Sequence, residues 1–399
     1  MSWEYVTLDK LGSISRGKSK HRPRNDKILF GGKYPFIQTA DVKSAQFYLT
    51  EFTETYSERG LAQSKLWPKG TLCITIAANI AETAILDIAA CFPDSIMGFI
   101  PYEEVSNVKF VKYAFDILKK DCLNISQGTA QDNLSWKKLS TIKFPAPPIK
   151  VQNKIVKYIS TYDDLIENNT KQIKLLEEAA QRLYKEWFVD LHFPGYENVK
   201  IVDGVPEGWK YRLVSDFGDV ITGKTPSTAK KEYYDGNIPF ITIPDMHGNV
   251  FPITTQKYLT KVGADTQKNK YLPKNTVIVS CIATVGLVNI AIEECQTNQQ
   301  INSVILYDEK DLYFFYESMK RIKALLDGVG SNGATMTNVN KTKFSNIKVL
   351  YPTENLVSEF YDFCKPIFEK ILSLSKIIIS AEQARDRLLP KLMSGELEV

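Results

Sequence analysis

Histidine is scarce in this chain of 399 residues: His21, His192 and His247 are all there is. A catalytic Ser/His/Asp triad or a histidine-built metal site needs such side chains converging from several segments, and three isolated ones give little to build either from. Cysteine is also sparse. Cys73, Cys91, Cys122, Cys281, Cys295 and Cys364 form no CxxC pair and sit mostly in apolar surroundings, which points to buried thiols rather than disulfides or zinc ligands. No apolar run approaches the ~20 residues of a membrane span. The opening stretch from Trp3 to Leu11 alternates and carries charge, unlike a signal peptide, so the expectation is a cytoplasmic protein without a membrane partner. Charge of either sign is not in excess, since 50 Lys and Arg against 46 Asp and Glu leave +4. That balance announces no polyanion by itself, and any such partner must be argued from where the charge lies.

Glycine and proline are absent from Val151 to Asp190, and this gap organises the chain. Ile155, Ile159, Tyr162, Ile166, Asn169 and Ile173 begin a series, ending at Trp187, whose spacing alternates between four and three, the seam of a two-helix coiled coil. A seam needs a partner. Phe360, Cys364, Ile367, Ile371, Leu374 and Ile378 repeat much of the pattern near the C-terminus, and Arg182-Leu183 corresponds to Arg387-Leu388 by a shift of 205 (387 − 182). The chain therefore reads as a tandem duplication, globular part then helix, twice. The fold class expected is α+β: two mixed globular parts at 1–148 and 191–353, with long helical segments at 149–190 and 354–399 pairing as an antiparallel coiled coil. Such a pairing gives the halves a pseudo-twofold relation and brings Met1 close to Val399. Pro366 falls inside the second seam and is expected to kink or restart that helix.

Gly12–Ser19 fits GxxxxGK[ST], the phosphate-loop pattern, and Gly218–Thr225 fits it again at a shift of 206 (218 − 12). A working phosphate loop must run straight into a helix whose N-terminal amides hold the phosphates. Here the first copy continues as KHRPRND and the second as PSTAKKEYYDG, neither of which reads as a helix. A duplicated nucleotide-binding protein is thus the weaker reading. The alternative is a glycine turn leading into a basic segment: Arg16, Lys18, Lys20, Arg22, Arg24 and Lys27 crowd together with only Asp26 opposing them. Contact with a phosphate backbone is the natural use of such a cluster. A solvated loop would be the ordinary reading of one charge run, but Lys224, Thr225, Lys230 and Lys231 stand in the corresponding loop of the second half.

Strands follow in both halves, at 34–42 against 238–246 and within 70–86 against 275–291, β-branched and bounded by turn residues. A helix comes next, at 108–120 and 311–326. After it each copy turns small and polar, SQGTAQDNLS at 126–135 and SNGATMTNV at 331–339. Amide and hydroxyl groups there suit hydrogen bonding to base edges, which makes Gln127, Thr129, Gln131 and Asn133, and Asn332, Thr335 and Asn338, candidate base readers. An Asx-rich turn is the plain alternative.

At the junctions the sequence becomes distinctive: FPAPPIKVQNKIVKYISTYDDLIENN at 144–169, RLYKEWFVDLHFPGYE at 182–197, VPEGWK at 205–210 and RLLPKLMSGELEV at 387–399. These resemble the repeated regions of the specificity subunits of Type I restriction-modification enzymes, over essentially the whole chain. The resemblance implies two target recognition domains, each gripping one half of a bipartite duplex DNA site, separated by spacer helices. It implies no catalytic residue and no cofactor in this chain. S-adenosylmethionine would be used by methyltransferase subunits, two in number, and ATP and Mg by restriction and translocase subunits. No [DN]PP[YF] motif of an adenine methyltransferase occurs here, in keeping with that division. The methyltransferase partners are expected on the outer faces of the helices, on exposed aromatics such as Tyr184 and Phe188. A coiled-coil scaffold without DNA binding is the remaining alternative.

Overall fold

The computed structural model describes residues 3–45, 47–77, 79–126, 134, 136–322 and 338–398. The chain divides into two compact units, Met1–Ile166 with Ser380–Val399, and Glu167–Ile379. Met1 and Val399, whose proximity the duplication implies, lie outside the described residues.

In the first unit the strands β1 (Gly12–Arg16), β2 (Phe30–Phe36), β3 (Leu72–Thr75), β4 (Thr83–Leu86) and β5 (Ile96–Pro101) precede helix α1 (Val108–Ser126). The main sheet has the order β1-β5-β3-β4, antiparallel throughout, with the short strand Tyr48–Leu49 added parallel at its far edge. All four residues of β3 are buried because both faces of the sheet are covered. Successive side chains point to opposite faces of a strand. Leu72 and Ile74 accordingly pack with Phe110, Val111 and Phe115 of α1. Cys73 turns the other way, to Trp67, Phe92 and Leu86. β2 belongs to a second, smaller sheet, antiparallel to Glu54–Tyr56 and parallel to Ala90–Cys91. The long helix α2 (Ile149–Phe188) starts in this unit, and Gln152 ties its first turn to the globular part by donating to Val105 O at 2.9 Å and accepting from Asn107 N at 3.0 Å.

The second unit repeats the plan with β6 (Gly218–Thr222), β7 (Tyr234–Ile241), β8 (Val277–Ser280), β9 (Val288–Ile290), β10 (Ile301–Leu306) and helix α3 (Leu312–Lys320). Its main sheet runs β6-β10-β8-β9, the same order, and β7 again sits between an antiparallel strand, Lys257–Leu259, and a parallel one, Gln296–Thr297. Val277 and Val279 join the core beneath α3, while Ile278 faces the smaller core with Ile241 and Leu272. The stretches 34–42 and 238–246, expected as single strands, stop at Phe36 and Ile241, and a helical turn follows each at Thr39–Ser44 and Ile243–Met246. The cause is local. Asp41 and Asp245 accept the amides of Gln38 and Thr242 at 2.7 and 2.8 Å, three residues back, which is how a helix N-terminus is fixed.

Helix α4 (Glu354–Ser394) is continuous through Pro366, so the expected restart does not occur. Proline removes an N–H from the helix ladder and frees the carbonyl four residues earlier. Pro366 and Asp362 both lie on the exposed side, where water can bond that carbonyl, as it can at the exposed Pro390. In the first unit Arg385 of α4 pairs with Asp163 of α2 at 2.9 Å. In the second unit Trp187 of α2 lies against Phe360 and Phe363, with centroids 6.0 and 5.9 Å apart. Numbers rise along one helix as they fall along the other, so the pair is antiparallel. Both helices end alike: His192 N–H donates to Glu186 O at 2.9 Å and Leu397 N–H to Lys391 O at 3.1 Å, the same bond shifted by 205 (397 − 192).

Candidate nucleic-acid interface

The two GxxxxGK[ST] segments are strands and the loops that leave them. Gly12–Arg16 pairs along its length with β5, and Gly218–Thr222 with β10. The glycines are required by close backbone approach. A Cβ on Gly12 would lie 2.3 Å from Ile100 O and one on Gly17 2.2 Å from Pro93 O, and Gly218 and Gly223 meet Ile305 O and Asn298 O at 2.1 and 2.2 Å. The amides that a phosphate loop would offer are occupied. Gly17 and Lys18 donate to Ile96 O and Phe92 O at 2.8 and 3.1 Å, and Gly223 and Lys224 to Ile301 O and Thr297 O at 3.1 and 2.9 Å. No helix follows either segment, only the 3-10 turns Lys27–Leu29 and Lys231–Tyr233. The nucleotide-binding reading therefore fails in both units.

The same strand ends project the basic loops outward. Arg16, Lys18, Lys20, Arg22, Arg24 and Lys27 are all exposed, on a main chain that is held firmly. Gln63 Oε1 accepts from the amides of Lys20 and His21 at 2.6 and 3.0 Å, and Ser64 Oγ donates to Lys18 O at 2.7 Å. Arg22 donates to Ser19 O and His21 O, both at 2.8 Å, and Arg24 pairs with Asp94 at 2.8 Å. Among the described residues no carboxylate lies within ion-pair distance of Lys18 or Lys20. In the second unit Lys224, Lys230 and Lys231 are exposed, Lys230 Nζ meets Tyr233 Oη at 3.0 Å, and Thr225 Oγ1 donates to Gln299 Oε1 at 2.7 Å. Gln267 also holds this loop by its main chain, donating to Lys224 O at 2.7 Å where Gln63 accepts from the amides of the first.

Beside the first loop lies a cleft of about 660 Å³. Its lining includes the cations Arg24 and Lys27, the polar side chains of Gln38 and Glu54, and the rings of Phe30, Phe36 and Tyr56. The Phe36 and Tyr56 rings are stacked at 4.0 Å. Sequence reasoning missed Gln38 and Glu54, which belong to no motif and are brought together only by the pairing of β2 with Glu54–Tyr56.

Gln127, Thr129, Gln131, Asn133, Asn332 and Thr335 lie outside the described residues. At the end of each polar stretch the chain is tied at matching places, Leu134 N–H donating to Ile76 O at 2.9 Å and Val339 N–H to Cys281 O at 2.8 Å. Asn338 is exposed and bridges Ile282.

Tyr184 and Phe188 are not surface aromatics. Both are 7% exposed, packed with Phe314 and Phe360, and Tyr184 Oη meets Ser318 Oγ at 2.9 Å. Helical periodicity alone places them beside the seam, and only α3, packed against that face, decides that they are covered. The six cysteines are free and buried, and burial pushes the Cys281 thiol up to about 11. Among the described residues there is no cluster of three or more His, Cys, Asp or Glu suited to a metal ion, and no helix long and apolar enough to cross a membrane.

A family model described as Type I restriction modification DNA specificity domain matches twice, at residues 1–178 and 206–382. The Type I restriction enzyme HindI specificity subunit of Haemophilus influenzae is 30% identical over 97% of this chain and 98% of its own length. The MjaIX specificity subunit of Methanocaldococcus jannaschii is 25% identical over 100% and 94%. Among solved structures, the S subunit of a Type I restriction-modification system from M. genitalium aligns over 98% of this chain and 96% of that one, with a TM-score of 0.62 at 15% identity, a likeness of fold.

Proposed function

The chain belongs to the family of Type I restriction modification DNA specificity domains, two of which it carries in tandem, and from that premise we propose that it is the non-catalytic subunit through which a restriction-modification complex chooses its DNA site. Residues 1–148 and 191–353 act as target recognition domains, each reading one half of a bipartite duplex sequence. The segments 149–190 and 354–399 act as the spacers. What supports the reading most is the repetition of one device: in both units a glycine-bearing edge strand delivers exposed lysines on a loop pinned by a glutamine, Gln63 or Gln267. Exposed cations on a fixed loop suit phosphates, which position a protein on DNA without reading sequence. Lys18, Lys20, Arg22 and Arg24 take that role in the first unit, and Lys224, Thr225, Lys230 and Lys231 in the second. The polar stretches with Gln127, Thr129, Gln131 and Asn133, and with Asn332, Thr335 and Asn338, contact base edges.

The chemistry belongs to partners. Two methyltransferase subunits use S-adenosylmethionine to methylate adenine, and restriction subunits use ATP and Mg, all in the cytoplasm. With Tyr184 and Phe188 buried, docking falls to the apolar side chains that the helices do expose, Tyr158 at 60%, Leu175 at 64% and Phe363 at 60%. Co-expression with the neighbouring methyltransferase and genome-wide mapping of methylated adenine tests the assignment. A bipartite motif is expected. An assembled complex that methylates a continuous motif, or none, would refute it.

A further inference from the structure

The strand pairing and helical turn beside the first unit's cleft recur in the second unit and differ in what they display. Phe36 pairs with Glu54 in the first unit, and Phe240 with Lys257 in the second, at the same end of the equivalent strands β2 and β7. One aspartate in each unit clamps the two segments that meet there. Asp41 accepts from Gln38 N at 2.7 Å through Oδ2 and from Thr53 Oγ1 at 3.3 Å through Oδ1. Asp245 accepts from Thr242 N at 2.8 Å and Thr242 Oγ1 at 2.7 Å through Oδ2, which leaves that hydroxyl its lone pairs to accept with, and from Gln256 N at 2.8 Å through Oδ1. The next helical turn is also built alike, Ser57 Oγ accepting from Gly60 N at 3.3 Å and Thr260 Oγ1 from Gly263 N at 3.1 Å. Backbone geometry at these positions is thus dictated by residues that recur. The side chains beside each clamp do not recur: Gln38 and Glu54 in one unit, Thr242 and Lys257 in the other.

The first pair is arranged in an informative way. Gln38 Nε2 donates to Glu54 Oε2 at 2.7 Å in an exposed contact, and both line the cleft that Arg24 and Lys27 share. An exposed contact of this kind adds little to stability. A carboxylate beside cations that grip phosphate opposes DNA in general, and is useful there only if it accepts from a particular donor, such as the cytosine amino group. Glutamine matches adenine in the major groove, and lysine, the counterpart of Glu54 beside the second clamp, matches guanine.

We infer that Gln38 and Glu54 contact base edges of one half-site, and Thr242 and Lys257 those of the other, making these four positions determinants of which sequence each unit selects. The inference rests on the reading of the chain as a DNA specificity subunit. Asp41 and Asp245 are positioning residues that hold the paired side chains in place.

Methylation mapping of the complex with its methyltransferase tests it, using Gln38→Thr with Glu54→Lys, and separately Thr242→Gln with Lys257→Glu. Each double variant should shift base preference by roughly tenfold or more at one or two positions of a single half-site, as expected when a good base pairing is removed. The other half-site serves as an internal control and stays unchanged. If a double variant loses all methylation, the near-isosteric Glu54→Gln and Lys257→Met decide: relaxed discrimination at one position of the corresponding half supports the inference. A wild-type bipartite motif kept with unaltered selectivity in these variants overturns it. A wild-type complex with no bipartite motif would instead remove the reading beneath it.

Discussion

Glu317 carries a cost that a sequence does not reveal. On α3 it is 3% exposed, and burial pushes its carboxyl up to about 7, with Lys320 and Arg321 opposing the shift and Glu177 adding to it. The folded pKa is above the unfolded value of 4.5, so between those two pH values the folded state binds more protons than the unfolded chain. Stability therefore falls as pH rises through that window and levels off above it. Glu317→Gln should flatten the slope and stabilise the second unit at pH 8 by up to about 3 kcal/mol. Urea unfolding at pH 5.5 and pH 8 checks this. A variant with the wild-type slope would place the titration elsewhere.

The basic loop of the first unit is an element fixed mainly through its main chain, by Gln63 and Ser64, to which the heads of Arg22, on Ser19 O and His21 O, and Arg24, on Asp94, add exposed contacts. Removing the charges of Lys18, Lys20, Arg22 and Arg24 together should leave the fold intact. DNA binding by the assembled complex should weaken equally on cognate and unrelated duplexes. The dependence of log K on log salt should fall by about 3, near 0.9 for each phosphate that is no longer neutralised. Arg24 contributes least, because Asp94 already holds it. Fluorescence anisotropy between 50 and 200 mM salt, a range in which such slopes are steep, measures the change. Unaltered affinity and slope would end the assignment of this loop.

For the molecule as a whole, duplication predicts modularity. Each unit has its own sheet and its own core under its own helix. Exchanging 191–353 for the matching segment of a relative should replace one half of the methylated motif and leave the other unchanged. Methylation mapping reads both halves at once, and a chimaera that altered both would show that the units do not read independently.

The antiparallel helices, the duplication and the buried thiols were legible in the chain because they rest on periodicity and spacing, which are properties of order along it. The glycine pattern was legible as a repeat but not in meaning: only the pairing of β1 with β5 and of β6 with β10 decided that Gly12 and Gly218 make room for a neighbouring strand. Pro366 reads locally as a helix breaker, and its place on the solvent side made it tolerable. Tyr184 and Phe188 fall beside the seam on a helical wheel, and α3 determined that they are covered. Gln38 and Glu54 stand 16 residues apart with nothing in the sequence to join them. Strand pairing joined them, because what a side chain faces is set by elements distant in the chain, whereas what element it belongs to is set by its neighbours.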